Sequence, residues 1–357
     1  MTTPGNFESV VRIQNREIGP GRPAFLIAEA GVNHNGDLAM ARALIDAAVA
    51  AGADAVKFQT FKSERVVSPA APKADYQLQT TSHAESQAEM IRRLELREED
   101  HRMLMDYCAQ RGILFLSTPF DEESVDLLSR LGVAAFKTSS GDVDNLPFLE
   151  HLARTGQPII FSTGMSHLAE VREAMDAISQ AGGRSVVVLH CVSDYPTNPL
   201  DVNLRAMDTL SAAFPVPIGF SDHTLGTHIT IAAVARGACC IEKHLTLDRT
   251  LPGPDHRASL EPAELTQMIA AIRETEAALG DGVKLPRGGE IANIAIARKS
   301  LHWRRAVEAG QVVSTDDFIA LRPGSGLFPG RLRSLLGRRI ATSVSAGALV
   351  RDEDFLA

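Results

Sequence analysis

Two apolar runs end in histidine: Pro217-Ile218-Gly219-Phe220-Ser221-Asp222-His223 and Cys239-Cys240-Ile241-Glu242-Lys243-His244. Each reads as a buried strand that turns polar at its C-terminal end, and a helix-length stretch separates them. Adjacent parallel strands of this kind would deliver two neutral imidazoles side by side, half of a divalent-metal site. The same alternation extends upstream. Strand-like runs at 25–31, 54–60, 113–120, 134–140, 158–164 and 186–191 bring the number to eight. Between them lie amphipathic stretches such as 38–51, with Ala41, Leu44, Ile45, Ala48 and Val49 at helical spacing. Gly52, Gly112, Gly132 and Gly237 follow such stretches as C-terminal stop signals. Eight βα units over about 250 residues predict a (β/α)8 TIM barrel rather than an open doubly wound sheet.

In such a barrel the chemistry sits at the C-terminal ends of the strands, and here those ends are polar. In order they offer Glu29, Lys57 with Gln59, Thr118, Lys137 with Ser140, Ser162, His190 followed by Ser193 and Tyr195, Ser221 with His223, and Glu242 with His244. Lys57 and Gln59 share a face, as do Glu242 and His244, because each pair is two residues apart. Taken singly, a strand lysine snorkels to water and a strand-end serine is turn chemistry. Placed together at one mouth, two lysines and two carboxylates would be costly to bury without a ligand. Two lysines with several hydroxyls suit a phosphate ester. Two histidines suit a divalent metal that polarises a carbonyl. Glu29, Glu242 and Asp255, the last in the turn Gly253-Pro254-Asp255-His256, are placed to hold hydroxyls or move protons. The set points to carbon–carbon bond formation between an anionic phosphoester and an aldehyde.

The remaining features bound the setting. The chain has 357 residues, 45% of them hydrophobic, and a net charge of −8, which argues against nucleic acid and anionic membranes as partners. No run reaches the ~18 apolar residues of a spanning helix, and residues 1–8 lack a signal peptide's pattern. Cys108, Cys191, Cys239 and Cys240 have no framework or metal spacing, and the adjacent Cys239 and Cys240, pointing to opposite faces of a strand, read as small core residues. Together these predict a cytoplasmic protein. The polar stretch 61–97, containing Pro69, Pro72, Lys73, Tyr76 and Gln77, reads as a substrate-covering loop. Residues 12–19 read as a short hairpin at the barrel's entrance. The expected organisation is a catalytic barrel over 1–280, a linker over 281–296 and a small β-rich domain over 297–357, near the lower size limit for folding alone.

The motifs Ile27-Ala28-Glu29-Ala30-Gly31-Val32-Asn33-His34-Asn35-Gly36, Val56-Lys57-Phe58-Gln59-Thr60, Leu116-Ser117-Thr118-Pro119-Phe120, Ser162-Thr163-Gly164-Met165, Leu189-His190-Cys191, Ser221-Asp222-His223-Thr224, Glu242-Lys243-His244, Gly253-Pro254-Asp255 and Arg322-Pro323-Gly324-Ser325-Gly326 resemble, in order, those of the sialic acid synthases. The C-terminal segment resembles the antifreeze-like (SAF) domain those enzymes carry. The resemblance implies a condensation of phosphoenolpyruvate with an N-acetylated hexosamine aldehyde, N-acetylmannosamine first and a 2,4-diacetamido-6-deoxy sugar (giving diacetyllegionaminate) as the alternative. It implies Mn²⁺ or Mg²⁺ at His223 and His244. It implies phosphoenolpyruvate held by Lys57, Lys137, Thr118, Ser140, Ser162 and Ser221, and sugar held by Glu29, Tyr195 and Asp255. Gln59 and Ser193 would join the substrate contacts, and Glu242 would lie beside metal and phosphate. It further implies a domain-swapped homodimer in which Arg322 reaches the partner's active site. Departures fall at Ser193, Asp142 and Leu321, where Asn, Glu and Lys are common. The motifs favour the neuraminate and legionaminate branch over the pseudaminate one. A Schiff-base aldolase using Lys57 or Lys137, and an inactive sugar- or ice-binding protein, are the rival readings.

Overall fold

A computed structural model of the chain describes residues 6–74, 77–78, 81 and 85–356. Tyr76 and most of the segment read for a targeting signal lie outside the described residues. The chain forms two compact units, one up to Gly280 and one from Asp281 onward.

The first unit is the expected barrel. Strands β3 (Phe25–Gly31), β4 (Ala55–Thr60), β5 (Leu114–Pro119), β6 (Phe136–Thr138), β7 (Ile159–Ser162), β8 (Val186–Cys191), β9 (Ile218–Asp222) and β10 (Cys240–His244) close in chain order, β10 pairing in parallel with β3. The period of two decides what faces inward. Phe25, Ile27, Leu116, Ile160, Leu189 and Cys240 form an apolar cluster inside the barrel. The alternate residues Leu26, Val56, Phe58, Phe136, Phe161 and Phe220 join the larger cluster that includes the surrounding helices. Inside, Gly219 is required by space: a Cβ there would stand 2.3 Å from the Cys240 carbonyl oxygen and 2.5 Å from Leu189.

The N-terminal hairpin pairs β1 (Val11–Ile13) with β2 (Arg16–Ile18). Its Val11, Ile13 and Ile18 pack with Phe25, Ala55 and Cys239, so it plugs the mouth where the strands begin. The helix Leu38–Ala51 starts on an Asp37 side-chain cap and ends at Gly52 in the left-handed conformation.

Three stretches differ from their sequence reading. The fourth of the eight expected barrel strands, at 134–140, is only three residues long (β6). Ser139 accepts a hydrogen bond from the Gly141 amide, which turns Ser140–Asp142 into a 3₁₀ turn. The 61–97 stretch carries helices Ser63–Val66 and Gln87–Arg92, the second opened by a reciprocal Ser86/Glu89 capping box. Within the expected linker, Gly289–Ala297 is helical.

In the second unit, β11 (Ser300–Trp303) pairs antiparallel with β12 (Phe318–Leu321). Isolated bridges at Val307–Val344 and Ile340–Phe355 extend its β character. Trp303 is fully buried, stacks on Phe318 at 4.9 Å between ring centres, and donates to Asp354. Leu301, Ile340, Val350 and Phe355 complete this small core.

Candidate active site

The polar strand ends converge on a cavity of about 430 Å³. Apart from His190, its walls include the barrel residues singled out from sequence: Glu29, Lys57, Gln59, Thr118, Lys137, Ser140, Ser162, Ser193, Tyr195, Ser221, His223, Glu242, His244 and Asp255. The floor is the layer directly above the apolar interior. Register places Glu29 beside Lys57, Gln59 beside Thr118, and Glu242 beside Ser221.

The floor is an ion network with almost no water access. Lys57 Nζ lies 2.8 Å from Glu29 Oε2 and 3.7 Å from Glu242 Oε2, and it donates to Thr118 Oγ1 at 2.8 Å. Lys137 Nζ lies 3.4 Å from Glu242 Oε1 and donates to Ser162 Oγ at 2.7 Å and to the Thr138 carbonyl at 2.9 Å. Ser221 donates to Glu242 at 2.9 Å, and Gln59 donates to Glu29 at 3.3 Å.

Burial alone would raise both carboxylates, but their neighbours split them. For Glu242, burial is outweighed by the ammonium groups of Lys137 and Lys57, which hold it at about 2. For Glu29, burial wins over Lys57, and the nearby Glu242 charge adds to it, so its carboxyl rises to about 7. Burial disfavours the Lys57 charge, yet Glu242 and Glu29 outweigh it and its pKa is raised.

The two histidines stand at the rim of this floor, with ring centres 5.3 Å apart. His223 Nδ1 donates to the Val192 carbonyl at 2.7 Å, so in the neutral ring it is Nε2 that carries the free lone pair. Tyr195 lies 4.1 Å from the His223 ring. His244 Nδ1 is buried and, among the described residues, has no hydrogen-bond partner; Asp255 Oδ2 is 4.0 Å away. Burial raises Asp255 to about 6. Burial pushes the His244 ring down, whereas at His223 it is outweighed by Cys191, Val192 and Glu242; in their neutral forms the two imidazoles, in a site with carboxylates, fit a hard or borderline divalent cation. Among the described residues no cluster of three or more His, Cys, Asp or Glu is gathered for a metal.

Gly164 makes room for two of the hydroxyls. A Cβ there would stand 2.3 Å from Ser193 Oγ and 2.8 Å from Ser140 Oγ, and its amide donates to Ser140 at 3.0 Å. Arg322 belongs to the second unit, where its Nε donates to the Ala297 carbonyl at 3.0 Å.

His190, a polar strand end by sequence, lies outside this cavity. Its parity turns it outward, where it stacks on Phe220 and hydrogen-bonds the Val202 carbonyl. Cys191, one residue on, faces inward and stands 3.9 Å from His223 Nδ1. Sequence reasoning left Cys191 without a role, although strand parity from Leu189 gives its inward direction.

His34, in the turn after β3, is also structural. Its Nδ1 accepts from the Gly36 amide, and burial pushes it down to about 4. The unfolded chain therefore takes up a proton on this ring between pH 6.5 and about 4, while the native chain does not. Stability contributed by the neutral ring is complete above pH 6.5 and falls as the pH drops through that window, by roughly 2–3 kcal/mol. In urea unfolding, the stability advantage of wild type over His34→Gln should shrink by that amount from pH 7 to pH 4. A gap independent of pH would refute the assignment.

Residues 44–284 match the NeuB family, and residues 298–356 match the SAF domain. The chain belongs to the NeuB family. This is the family of the sialic acid synthases, and the chain is an enzyme of it. The N,N'-diacetyllegionaminic acid synthase of Legionella pneumophila is 46% identical over 333 residues, covering 92% of this chain and 94% of that protein. The human N-acetylneuraminate-9-phosphate synthase is 35% identical over 343 residues, covering 95% of this chain and 94% of that one. Among solved structures, the N-acetylneuraminic acid synthetase of Leptospira borgpetersenii, in complex with citrate, superposes with a TM-score of 0.71. It is 36% identical and covers 80% of this chain and 95% of that one. No helix among the described residues of this NeuB-family chain is long and apolar enough to cross a membrane.

Proposed function

We propose that this NeuB-family enzyme condenses phosphoenolpyruvate with the open-chain aldehyde of an acetamido hexose and water, releasing phosphate. One observation carries the reading: Lys57 and Lys137 converge on Glu242 in the same cavity as the His223–His244 pair. Two buried ammonium groups, with the hydroxyls of Thr118, Ser140, Ser162 and Ser221, suit the phosphate and carboxylate of a small phosphoenol acid. Carbon 3 of that acid forms the new bond to the aldehyde carbon with the enol electron pair. The aldehyde oxygen takes up a proton, water adds at carbon 2, and the carbon–oxygen bond to phosphate breaks with its pair leaving on phosphate. Glu242 stays ionised and holds the two lysines in place. Glu29, at about 7, is poised to hold or release a proton at neutral pH. Mn²⁺ or Mg²⁺ held by His223 and His244 would supply Lewis acidity to the aldehyde oxygen. The enzyme's phosphoenolpyruvate supply implies a cytoplasmic site of action.

Two observations bear on the acceptor. The diacetyllegionaminic acid synthase above is 46% identical and the 9-phosphate synthase 35%. The outer wall of the cavity is apolar, built from Phe61, Ile91, Leu94 and Phe120 with Met90 beside them. Among the described lining residues, Lys57 and Lys137 are the only lysines or arginines, and both are held on the floor by Glu242. Such a wall favours methyl and acetamido groups over a phosphate at the sugar's distal end. A 2,4-diacetamido-2,4,6-trideoxymannose is therefore the preferred acceptor, with N-acetylmannosamine second. The aldolase reading is weaker, because Lys57 is held as an ammonium by two carboxylates and an imine-forming lysine must be neutral.

The direct test uses phosphoenolpyruvate labelled in its bridging oxygen. The expected result is label in the released phosphate; label left in the sugar product would contradict carbon–oxygen cleavage.

The functional unit is proposed to be a domain-swapped homodimer. Residues 281–357 hold 12 Lys and Arg against 8 Asp and Glu, in a chain whose net charge is −8. Ile291 and Ile296, on the helix before the SAF domain, are 59% and 68% exposed. A basic unit and an uncovered apolar helix support pairing with a second, acidic barrel. Arg322→Ala should raise KM for the sugar about tenfold or more while the dimer persists in light scattering. Unchanged sugar kinetics would remove Arg322 from the site.

A further inference from the structure

Beneath the histidine pair lies a charged cluster that takes no part in the chemistry. Asp222 precedes His223 and Lys243 precedes His244, so strand parity turns both away from the cavity, among the helices. Both side chains are fully buried, and their charges pair at 2.9 Å. The two residues are cross-strand partners, the last ladder pair before the histidines. Every acceptor on the aspartate is used: Oδ1 takes the Thr224 amide, and Oδ2 takes Lys243 and the Thr230 hydroxyl. Lys243 also donates to the Thr224 carbonyl. The network thus binds the residue before each histidine, the residue after His223, and the following helix His228–Ala235.

Packing does not call for charge here. At other outward positions of the barrel strands the sequence places Phe58, Phe136, Phe161 and, on the strand of Asp222 itself, Phe220. A buried ion pair stabilises no more than apolar residues of similar volume. What it adds is direction, since hydrogen bonds fix a separation that apolar packing leaves soft. Groups that hold metal ligands in place shift metal affinity by roughly 10–100-fold.

We propose that the Asp222–Lys243 pair, locked by Thr224 and Thr230, is a positioning device that sets the separation of His223 and His244 and thereby the affinity for a divalent cation. This rests on the reading of the two histidines as a metal site.

The test compares full-length wild type with Asp222→Leu/Lys243→Met, which replaces the pair by apolar residues of similar size. Mn²⁺ binding is titrated by electron paramagnetic resonance, and folding is followed by thermal melting. The expected double variant melts cooperatively and binds Mn²⁺ about tenfold or more weakly. Its phosphate release recovers at saturating Mn²⁺, so the metal requirement rises while kcat largely returns. A folded double variant with wild-type Mn²⁺ affinity overturns the proposal. If the double variant does not fold, Thr230→Val, which removes one hydroxyl at constant shape, decides instead. A severalfold loss of Mn²⁺ affinity supports the proposal, and wild-type affinity overturns it. Failure of the wild-type chain to bind Mn²⁺ would remove the metal site itself, and with it this role, while leaving the lysine floor untouched.

Discussion

Lys137→Met is expected to lower phosphate release from phosphoenolpyruvate by about 10²–10³-fold, the size of effect seen when one buried donor to a developing charge is lost. The reason is local. Lys137 has its ammonium on Ser162, on the Thr138 carbonyl and 3.4 Å from Glu242. Methionine keeps the apolar stem and removes the charge. A phosphoenol acid brings several negative charges to a floor where Glu242 is already ionised, and one ammonium would remain to balance them. The same variant takes away the strongest attraction that holds Glu242 low, so that carboxylate should titrate closer to neutrality. A buried carboxylate that loses a partner is strained by roughly 3–5 kcal/mol, and the melting temperature of the ligand-free protein should fall accordingly. Steady-state phosphate assays with thermal melts measure both effects. A folded Lys137→Met enzyme within tenfold of wild type would show that the lysine floor does not hold the phosphoester.

Removal of divalent metal is expected to abolish condensation, and His244→Ala is expected to abolish it in a way that added Mn²⁺ does not reverse. His223 and His244 contribute differently. The first is oriented by the Val192 carbonyl and by Tyr195, while the second has a buried nitrogen with no hydrogen-bond partner among the described residues. A nitrogen buried without a partner costs roughly 1–3 kcal/mol, which a bound cation would recover. Wild-type enzyme treated with a chelator should regain full rate when Mn²⁺ is restored. His244→Ala should stay at least 10²-fold down. Undiminished turnover in excess chelator would contradict the metal role.

Much of this architecture is readable from residue order. Leu-, Ile- and Val-rich runs with glycine-terminated helices between them specify eight βα units, and a (β/α)8 barrel follows. Period-two parity then states which side chains meet: Lys57 with Gln59, and Glu242 with His244, point the same way because they are two apart. What the sequence hides is set by tertiary or fine local geometry. The sixth strand is cut short by the Ser139 side chain, whose hydrogen bond to Gly141 competes with the ladder. His190 looks like its neighbours at the other strand ends until parity from Leu189 is counted, which turns it outward and Cys191 inward. Residues 61–97 look structureless by composition, but Ser86 and Glu89 carry a helix-start signal, and Phe61, Ile91 and Leu94 close against Val32 and Phe120 through contacts no local pattern announces. The Asp222–Lys243 pair sits inside motifs whose histidines and glutamate draw attention first, and only the cross-strand register reveals it.

The central claim is a metal-dependent condensation of phosphoenolpyruvate with an unphosphorylated acetamido aldehyde. Its most direct measurement is phosphate release from phosphoenolpyruvate in the presence of Mn²⁺ against a panel of 2,4-diacetamido-2,4,6-trideoxymannose, N-acetylmannosamine and N-acetylmannosamine 6-phosphate. The account predicts release that requires an acceptor, with the diacetamido sugar giving the highest kcat/KM and the 6-phosphate the lowest. Release with none of these sugars, or preference for the phosphorylated one, would contradict it.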